Sequence, residues 1–350
     1  MQTHDDILEL VRQKSAEAVR KMHRGLILQP GAIGDCILTL PLAAYMKDAL
    51  DLGGIDILGH TEYVGFLPGR SCVNGIRSID SMDLHRLFAK TNTFELKDRD
   101  PLISAFGDYA CIATFLGEPD SNFEQNLIFT ANCSHSAEVI TLSMKPPKDF
   151  SDHLAGFYIR QFIEQSGYSL ESWQIQTDDC LIKATKADIN TGRELLKEIG
   201  LGSGEKLIVI QPGSGGTKKC WHFDNFLAVA KELDSRGIEI IFLLGPAEID
   251  RFSDAKIKEI RSVGRCLTDL SLAQVLGLLS CVDGFIGNDS GITHLAGALG
   301  VRTYSIFGPT NPVVYKSIGP DVTVFTGSKA SFARKPSVRL QRKLLEVLTV

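Results

Sequence analysis

Continuous apolar runs alternate along this chain with stretches whose apolar positions recur about every 3.6 residues. The first run, residues 26–29, leads through a glycine-containing turn into an amphipathic stretch from residue 35 to about residue 50. The same succession restarts with the apolar run at residues 207–211. Such alternation predicts parallel strand–helix–strand units, and runs without polar interruptions predict sheets covered on both faces. The predicted fold class is therefore α/β.

The pattern predicts elements in both halves of the chain. Strands are expected at residues 26–29, 55–59, 75–79, 109–115, 138–142, 207–211, 239–244, 282–286 and 302–307. Helices are expected at residues 4–23, 35–50, 153–165, 186–199, 223–235, 251–262, 272–279, 291–299 and 334–348.

One short motif occurs twice at equivalent places. Leu28-Gln29-Pro30-Gly31 and Ile210-Gln211-Pro212-Gly213 each end an apolar run before a glycine loop, about half the chain apart. This repetition predicts two α/β domains of similar plan. The predicted segments are an N-terminal helix at 1–24, a first domain at 25–184, a second domain at 185–325, and a C-terminal helix at 326–350 that could cross back to the first domain.

Composition and charge exclude several classes of protein. The 350 residues are 44% hydrophobic and 23% charged, as in a globular chain with a buried core. A net charge of −5 gives no global basic field for nucleic acid. The apolar runs are far shorter than the roughly 20 residues of a membrane span, and the polar start shows no secretory signal. Eight cysteines without a C-x-x-C pair predict reduced thiols in a cytoplasm.

The strongest chemical signal is Gly287-Asn288-Asp289-Ser290-Gly291-Ile292-Thr293-His294, which separates an apolar run from an amphipathic stretch. The unpaired N–H groups at the start of such a helix carry partial positive charge and bind phosphate. Gly291 leaves room for a close approach, and Ser290 can add a hydroxyl. A plain helix capped by Asp289 or Ser290 explains the same residues and is favoured for this motif taken alone.

A second glycine loop, Gly213-Ser214-Gly215-Gly216-Thr217-Lys218-Lys219-Cys220-Trp221, follows the run at residues 207–211. Its spacing matches neither G-x-x-x-x-G-K-[ST] nor the dinucleotide motif G-x-G-x-x-G. A lysine here could reach a diphosphate held by the first loop. A solvated lysine pair is the alternative, and it fits Lys218 better than Lys219, which lies two residues before a tryptophan expected to pack.

Carboxylates follow two other apolar runs. Asp35 ends the turn Gly31-Ala32-Ile33-Gly34 and could act as a general base, although a helix cap is favoured from the residues alone. Glu248, in a G-P-A-E motif, would suit a ribose diol, with an exposed helix start as the alternative. Asp98-Arg99-Asp100 is an arrangement that some sugar transferases use for a metal, but its charge and the following Pro101 favour a solvated loop.

Together these motifs resemble glycosyltransferase family 9, the ADP-heptose:lipopolysaccharide heptosyltransferases. Five motifs occur in the family's order and cover roughly residues 25–320. They are P-G-A-I-G-D from Pro30, P-G-S with K-x-W from Pro212, G-x-x-E from Gly245, N-D-S-G-x-x-H from Asn288 and F-G-P-T from Phe307. The chain departs from the family at His222, where a proline is common, and no acceptor-binding motif is matched between residues 70 and 170.

The resemblance implies a GT-B fold, in which two Rossmann-like domains face a cleft and the second binds the donor. It implies that Asp35, on the loop of Gly31 and Gly34, is the general base of an inverting transfer that releases ADP. Lys219 would be the second catalytic residue, stabilising the leaving diphosphate, so that no metal or other cofactor is required. The implied donor-binding residues are Ser214, Gly215, Lys219, Glu248, Asp289, Ser290, Gly291 and His294.

The resulting hypothesis is an inverting transferase that moves a heptose or related sugar from an ADP-sugar to a lipopolysaccharide-core or other lipid-linked glycan in the cytoplasm. One alternative is a GT-B enzyme with another nucleotide sugar, either a UDP-sugar transferase or an epimerase. The other is a nucleotide-sugar-binding protein without catalysis, against which Asp35 and Lys219 argue. The basic stretch from Arg334 to Lys343 leaves open a peripheral contact with the inner face of the inner membrane, although a solvated helix face is favoured.

Overall fold

The computed structural model describes residues 23–202 and 204–348. The N-terminal helix expected at residues 4–23 falls outside this part, except for its last residue. The described residues divide into two compact units. The first holds residues up to Gly31, Thr39–Lys148 and Ala155–Ile175, and the second holds Ala32–Leu38, Asp149–Leu154 and the residues from Gln176 onward. Among the helices of the described residues, none has the length and apolar character to cross a bilayer.

The described elements are numbered along the chain. The strands are β1 Arg24–Gln29, β2 Gly54–Gly59, β3 Val73–Ser78, β4 Tyr109–Thr114, β5 Glu138–Thr141, β6 Leu207–Gln211, β7 Glu239–Leu244, β8 Arg265–Thr268, β9 Gly284–Asn288, β10 Thr303–Phe307 and β11 Val322–Thr326. The first helices are α1 Ile33–Leu38, α2 Leu40–Ala49, α3 Thr61–Val64, α4 Pro101–Phe106, α5 Asn122–Ala131, α6 Leu154–Ser166 and α7 Lys186–Glu198. The later helices are α8 Phe223–Ser235, α9 Pro246–Ile249, α10 Asp254–Arg261, α11 Leu272–Leu279, α12 Gly291–Ala298, α13 Pro312–Tyr315 and α14 Val338–Val347. Short 3-10 helices lie at Ile79–Ser81, Leu84–Phe88, Thr91–Thr93 and Thr217–Lys219.

The two sheets repeat one strand order. In the first unit the order is β3-β2-β1-β4-β5, and in the second it is β11-β10-β9-β6-β7-β8. Neighbouring strands in both sheets are parallel. Counted from the first strand of each unit, the second and third strands lie on one side and the fourth and fifth on the other. The repeated Gln-Pro-Gly motif therefore follows strands of equal rank, β1 and β6, and the predicted α/β class is confirmed.

Burial explains why the apolar runs form inner strands. Leu26, Ile27 and Leu28 of β1 have no exposed surface, as expected for a strand covered on both faces. The strands that the pattern missed, β8 and β11, lie at the edges of the second sheet and are only partly buried. Both strands contain polar positions, so the hydrophobic pattern does not reveal them. An edge strand needs no continuous apolar run, because one of its sides is open to solvent.

The helix predicted at residues 35–50 is divided in two. Pro41 has no N–H to donate to the preceding turn, and its ring would collide with the carbonyl four residues earlier. The chain therefore ends α1 at Leu38 and restarts with α2, whose first carbonyl bond runs from Ala43 N to Thr39 O at 3.0 Å. Helices α4 and α5 were not assigned from the pattern.

The boundary between the units lies earlier than the predicted residue 184. The rings of Tyr45 and Trp173 lie 5.1 Å apart, edge to face, so the chain through residue 175 packs on the first unit. Ile182 N donates to Ala298 O at 3.0 Å, which joins the next segment to the second unit. The segment Ala32–Leu38 also groups with the second unit, although β1 before it belongs to the first.

The terminal helix α14 packs within the second unit, on α8. Leu340 and Leu344 enter the core of that unit. Asn225 Oδ1 accepts hydrogen bonds from Ser337 N and from Gln341 Nε2, both at 2.7 Å. These contacts hold the helix in the second unit. The sequence pattern left open that the helix crosses back to the first.

Candidate active site

Asn288, at the end of β9, fixes the shape of the glycine loop that follows β6. Its side chain has no exposed surface. Its Nδ2 donates to Pro212 O at 2.8 Å and to Gly213 O at 3.1 Å, while its Oδ1 accepts from Trp221 N at 2.8 Å. One buried amide at the end of β9 therefore ties both ends of the glycine loop that follows β6. Sequence reasoning gave Asn288 no role, since its partners lie far away along the chain.

Three further hydrogen bonds hold the glycine loop. Ser214 Oγ donates to Asp289 O at 2.7 Å. Arg251, a residue that sequence reasoning also missed, donates to Ser214 O at 2.9 Å and to Gly215 O at 3.1 Å. The hydroxyl of Ser214 thus joins the glycine loop to the loop that follows β9. Its predicted contact with the sugar-nucleotide donor stays a prediction.

Asp289 is a buried carboxylate between a lysine and a histidine. It is 5% exposed, with Lys219 Nζ 2.8 Å from its Oδ2 and His294 Nε2 3.8 Å from its Oδ1. Burial opposes ionisation, but the hydrogen bonds and charges of His294 and Lys219 outweigh it and hold the pKa of Asp289 at about 2. The carboxylate is therefore ionised at neutral pH and orients the Lys219 ammonium. Lys218 is exposed, as its alternative interpretation predicted.

Ser290 caps helix α12. Its Oγ accepts from Thr293 N at 3.3 Å and donates to Gln211 Oε1 at 2.8 Å. The capping interpretation of this motif is correct, and it leaves the first N–H groups of the helix without intrahelical acceptors. Capping and anion binding are compatible at this position, because the cap uses the side chain and an anion would use the main chain.

Helices α1 and α12 meet at two glycines. A Cβ on Gly291 would lie 2.7 Å from Ile33 Cβ and 3.3 Å from Gly34 N. A Cβ on Gly34 would lie 3.0 Å from His294 Cδ2. The absence of side chains at Gly34 and Gly291 therefore brings the start of α1, with Asp35, against the start of α12.

Asp35 lines a cavity of about 350 Å³ together with residues of both loops. The cavity is lined by Ala32, Gly34, Asp35, Leu38, Ser214, Gly215, Gly216, Lys219, Asp289, Ser290, Gly291, His294 and Tyr315. Asp35 Oδ2 also accepts from Ala32 N at 3.1 Å, so this half-buried carboxylate both caps α1 and faces the cavity. Seven of the predicted donor-binding residues meet Asp35 there.

Gly31 and Glu248 do not line this cavity. Gly31 belongs to the first unit, where its N–H donates to Gln29 Oε1 at 2.9 Å. Glu248 is 3% exposed, so its interpretation as an exposed helix start is wrong. Its Oε2 accepts from Gly245 N at 2.7 Å, and its other oxygen occupies the space that a Cβ on Gly213 would need. Burial raises the pKa of Glu248.

Glu248 lines a second cavity of about 360 Å³ on another side of the glycine loop. Its walls include the rings of Phe223 and Phe252, whose centroids lie 4.9 Å apart. Lys256 Nζ lies 5.3 Å and 5.4 Å from these two ring centroids. The glycine loop is therefore bordered by one polar cavity and by one that is partly aromatic.

The D-x-D arrangement is structural. Asp100 is 1% exposed, and its carboxylate accepts from Arg86 at 2.7 and 2.9 Å and from Leu102 N at 3.1 Å. The Arg86 hydrogen bond holds the pKa of Asp100 well below its usual range. The expectation of a solvated loop is thus wrong for Asp100. Across the described residues, no group of three or more His, Cys, Asp or Glu side chains is placed to hold a metal ion.

Comparison with known proteins identifies relatives that cover most of the chain. The sequence model of glycosyltransferase family 9 (heptosyltransferase) matches residues 136–344. Lipopolysaccharide heptosyltransferase 3 of Escherichia coli strain K12 is 26% identical over 328 residues, which cover 90% of this chain and 91% of that protein.

Solved structures share the fold. Escherichia coli ADP-heptose lps heptosyltransferase II matches with a TM-score of 0.66 at 15% identity, covering 93% of this chain and 98% of that one. The E. coli heptosyltransferase WaaC with ADP-2-deoxy-2-fluoro heptose matches with a TM-score of 0.61 at 16% identity, covering 93% and 99%. These similarities confirm the predicted fold class of two Rossmann-like sheets.

Proposed function

The chain belongs to glycosyltransferase family 9, and we propose that it transfers a heptose from ADP-heptose to a sugar of the lipopolysaccharide core, with inversion at the anomeric carbon. Family membership makes it a glycosyltransferase of the heptosyltransferase group, related to enzymes of lipopolysaccharide synthesis. The observation that carries the proposal is the cavity that Asp35 shares with Lys219 and the first turn of α12.

The donor is proposed from the cavity and from a relative. WaaC was solved with ADP-2-deoxy-2-fluoro heptose, which is an ADP-sugar with fluorine at C2 of the heptose. In this chain, the Lys219 ammonium and the N–H groups that begin α12 offer positive charge to a diphosphate at one wall of the cavity. The carboxylate of Glu248, on the neighbouring cavity, would bind the ribose hydroxyls.

The proposed chemistry is a single displacement. Asp35 takes the proton from an acceptor hydroxyl, and that oxygen forms a bond to the anomeric carbon of the heptose. The bond between this carbon and the β-phosphate oxygen breaks, and its electron pair leaves with ADP. Because the acceptor attacks opposite the departing diphosphate, the configuration inverts.

Lys219 and the α12 amides would stabilise the negative charge that grows on the leaving diphosphate. The buried, ionised Asp289 holds the ammonium in place at 2.8 Å before a donor binds. Hydrogen-bond donors that are held in fixed positions in this way stabilise the charge that develops in the transition state. We therefore propose that transfer needs no metal ion, and we expect full activity in the presence of a chelator such as EDTA.

We further propose that the enzyme works in the cytoplasm, at the inner face of the inner membrane, where a lipid-linked core acceptor would be presented. The supporting feature is the exposed basic surface of α14 and the residues before it, which could contact anionic headgroups. The basic residues are Arg334, Lys335, Arg339, Arg342 and Lys343.

Asp35→Asn tests the proposed general base. An asparagine can still accept the hydrogen bond from Ala32 N, so the loop should keep its shape, but it cannot take a proton. We expect transfer to slow by about 10²- to 10⁴-fold, while ADP affinity measured by calorimetry stays unchanged. Asp234→Asn, on the exposed surface of α8, is the matched control. Wild-type rates in Asp35→Asn would refute the role of Asp35.

A donor panel tests the sugar nucleotide. Purified protein is incubated with ADP-heptose, other ADP-sugars or UDP-sugars and with deacylated core oligosaccharides, and nucleotide release is measured. Turnover of ADP-heptose supports the proposal. Turnover of UDP-sugars alone would assign the chain to a different GT-B activity, and binding of ADP without any turnover would point to a binding protein.

A further inference from the structure

One guanidinium binds two successive carbonyl groups of the glycine loop that follows β6. Arg251 Nη1 donates to Ser214 O at 2.9 Å, and Arg251 Nη2 donates to Gly215 O at 3.1 Å. All three residues belong to the second unit. Arg251 lines the second cavity, of about 360 Å³, whereas Ser214 and Gly215 line the cavity of about 350 Å³ that contains Asp35. The loop therefore lies between the guanidinium and the Asp35 cavity.

The direction of these carbonyl groups decides where the N–H groups of the loop point. The peptide bonds of the described residues are trans, and in a trans peptide plane the C=O and the N–H point in opposite directions. The carbonyl of Ser214 shares its plane with the N–H of Gly215, and the carbonyl of Gly215 shares its plane with the N–H of Gly216. Both N–H groups therefore point away from Arg251, towards the cavity that Gly215 and Gly216 line.

These two N–H groups are unused within the described part of the chain. Neither Gly215 N nor Gly216 N has a hydrogen-bond acceptor among the described residues. A Cβ on Gly215 would meet no described atom within 4 Å, its chain neighbours aside, so a ligand has room to approach the main chain. Successive main-chain N–H groups that point the same way form a concavity that binds an anion. The loop therefore presents two hydrogen-bond donors to an anion in the cavity.

The charges of the cavity show why such donors matter. The Lys219 ammonium lies 2.8 Å from the buried carboxylate of Asp289, which offsets much of its charge. Asp35 adds a second carboxylate to the same cavity. Lys219 therefore faces an incoming anion as a cation that is already paired, whereas the N–H groups of the glycine loop have no competing partner.

We infer that Arg251 is a positioning residue of the donor site. Through its two hydrogen bonds it holds the loop so that the N–H groups of Gly215 and Gly216 bind the diphosphate of the sugar nucleotide. The inference rests on the proposed function, because it takes the anion in the cavity to be a diphosphate. It adds a residue that acts from the far side of the loop and reaches the ligand only through the main chain.

Two substitutions separate the geometry of Arg251 from its charge. Arg251→Ala removes both hydrogen bonds and the positive charge. Arg251→Lys keeps the charge, but an ammonium lacks the planar fork that holds two carbonyl groups at once. Lys258→Ala is the matched control, since it removes a positive charge from the exposed surface of α10. Urea unfolding shows which variants are folded, and Arg251→Lys carries the test if Arg251→Ala does not fold.

Calorimetry with ADP and with adenosine separates binding of the phosphates from binding of the nucleoside. We expect ADP affinity to fall about tenfold in Arg251→Ala and by a smaller factor in Arg251→Lys, because one or both hydrogen bonds that orient the N–H groups are lost. Adenosine affinity should equal that of the wild type in both variants, and Lys258→Ala should bind both ligands like the wild type.

Three results would overturn the inference. Unchanged ADP affinity in Arg251→Ala shows that the N–H groups are not held by Arg251 or do not bind the diphosphate. An equal loss of affinity for ADP and adenosine places the effect at the nucleoside. Wild-type ADP affinity in Arg251→Lys shows that charge suffices without the fork.

Failure of the proposed function is recognised separately. If the wild-type protein transfers no heptose from ADP-heptose to any core oligosaccharide, the proposed function fails whatever Arg251 does. The titrations with ADP and adenosine need no turnover, so they still decide the role of Arg251. If the wild-type protein transfers heptose and both Arg251 variants bind ADP as tightly as it does, the function stands and the inference falls.

Discussion

Replacing Gly291 with alanine is predicted to push apart the helices that meet at the active site. The added Cβ would lie 2.7 Å from Ile33 Cβ and 3.3 Å from Gly34 N, whereas ordinary contacts begin at 3.4 Å. Neither neighbour is the flexible end of a side chain, so neither can turn away. Since non-bonded carbon atoms prefer a separation of about 3.5–4.0 Å, α1 must move away from α12 by about 1 Å.

The size of the effect follows from this displacement. Overpacking of this kind destabilises a protein by about 1–3 kcal/mol. Asp35 lies on α1, one residue after Gly34, so the proposed base moves with the helix. A misplacement of about 1 Å lowers a rate on the order of 10²-fold. Because alanine keeps the main-chain N–H at position 291, we expect ADP affinity to change little.

Urea unfolding measures the stability, transfer kinetics measure kcat, and calorimetry measures the ADP affinity. All three are measured on one preparation. Gly202→Ala is the control, because a Cβ there meets no atom of the described residues within 4 Å, its chain neighbours aside. Gly291→Ala should lose stability and kcat while keeping ADP affinity, and Gly202→Ala should keep all three. If both variants keep wild-type stability and kcat, the close approach of α1 to α12 does not position Asp35 as argued.

Two further predictions concern the loops. Asn288→Ala leaves Trp221 N and two carbonyl groups without their buried partner, so urea unfolding should show a loss of about 3 kcal/mol, and a value below 1 kcal/mol would contradict the proposed tie. The lowered pKa of Asp289, about 2, means that its ion pair stabilises the fold above pH 4 and that this contribution, about 2 kcal/mol, is lost as the pH falls from 4 towards 2. Acid unfolding of Asp289→Asn should lack this component, and identical acid profiles for the variant and the wild type would refute it.

The sequence predicted which residues of the second unit meet at one cavity, because these residues follow strand ends. Asp289 and Ser290 lie just after one apolar run, and Lys219 lies in the glycine loop that follows another. Parallel strands bring such loops to one edge of the sheet. From the sequence alone, a role in capping a helix could not be distinguished from a role in binding the sugar-nucleotide donor. The structure shows Ser290 and Asp35 as caps that also line the cavity.

The residues that sequence reasoning missed act over long separations. Asn288 binds the loop at Pro212 and Gly213, and Arg251 binds Ser214. No periodicity marks such a contact, because its partners are set by which strands lie side by side. The order β7-β6-β9 brings these residues together, and that order follows from the whole sheet rather than from any single motif.

The loop held by Asn288 has a thermodynamic consequence for the catalytic cycle. Its ends are tied by protein–protein hydrogen bonds that involve no nucleotide, so docking of ADP need order little additional backbone. A site assembled beforehand loses little conformational entropy on binding. Under the proposed function it would hold the product diphosphate as readily as the same group in the donor. Escape of ADP, rather than sugar transfer, would then set the turnover number, and a pre-steady-state burst of product would reveal it.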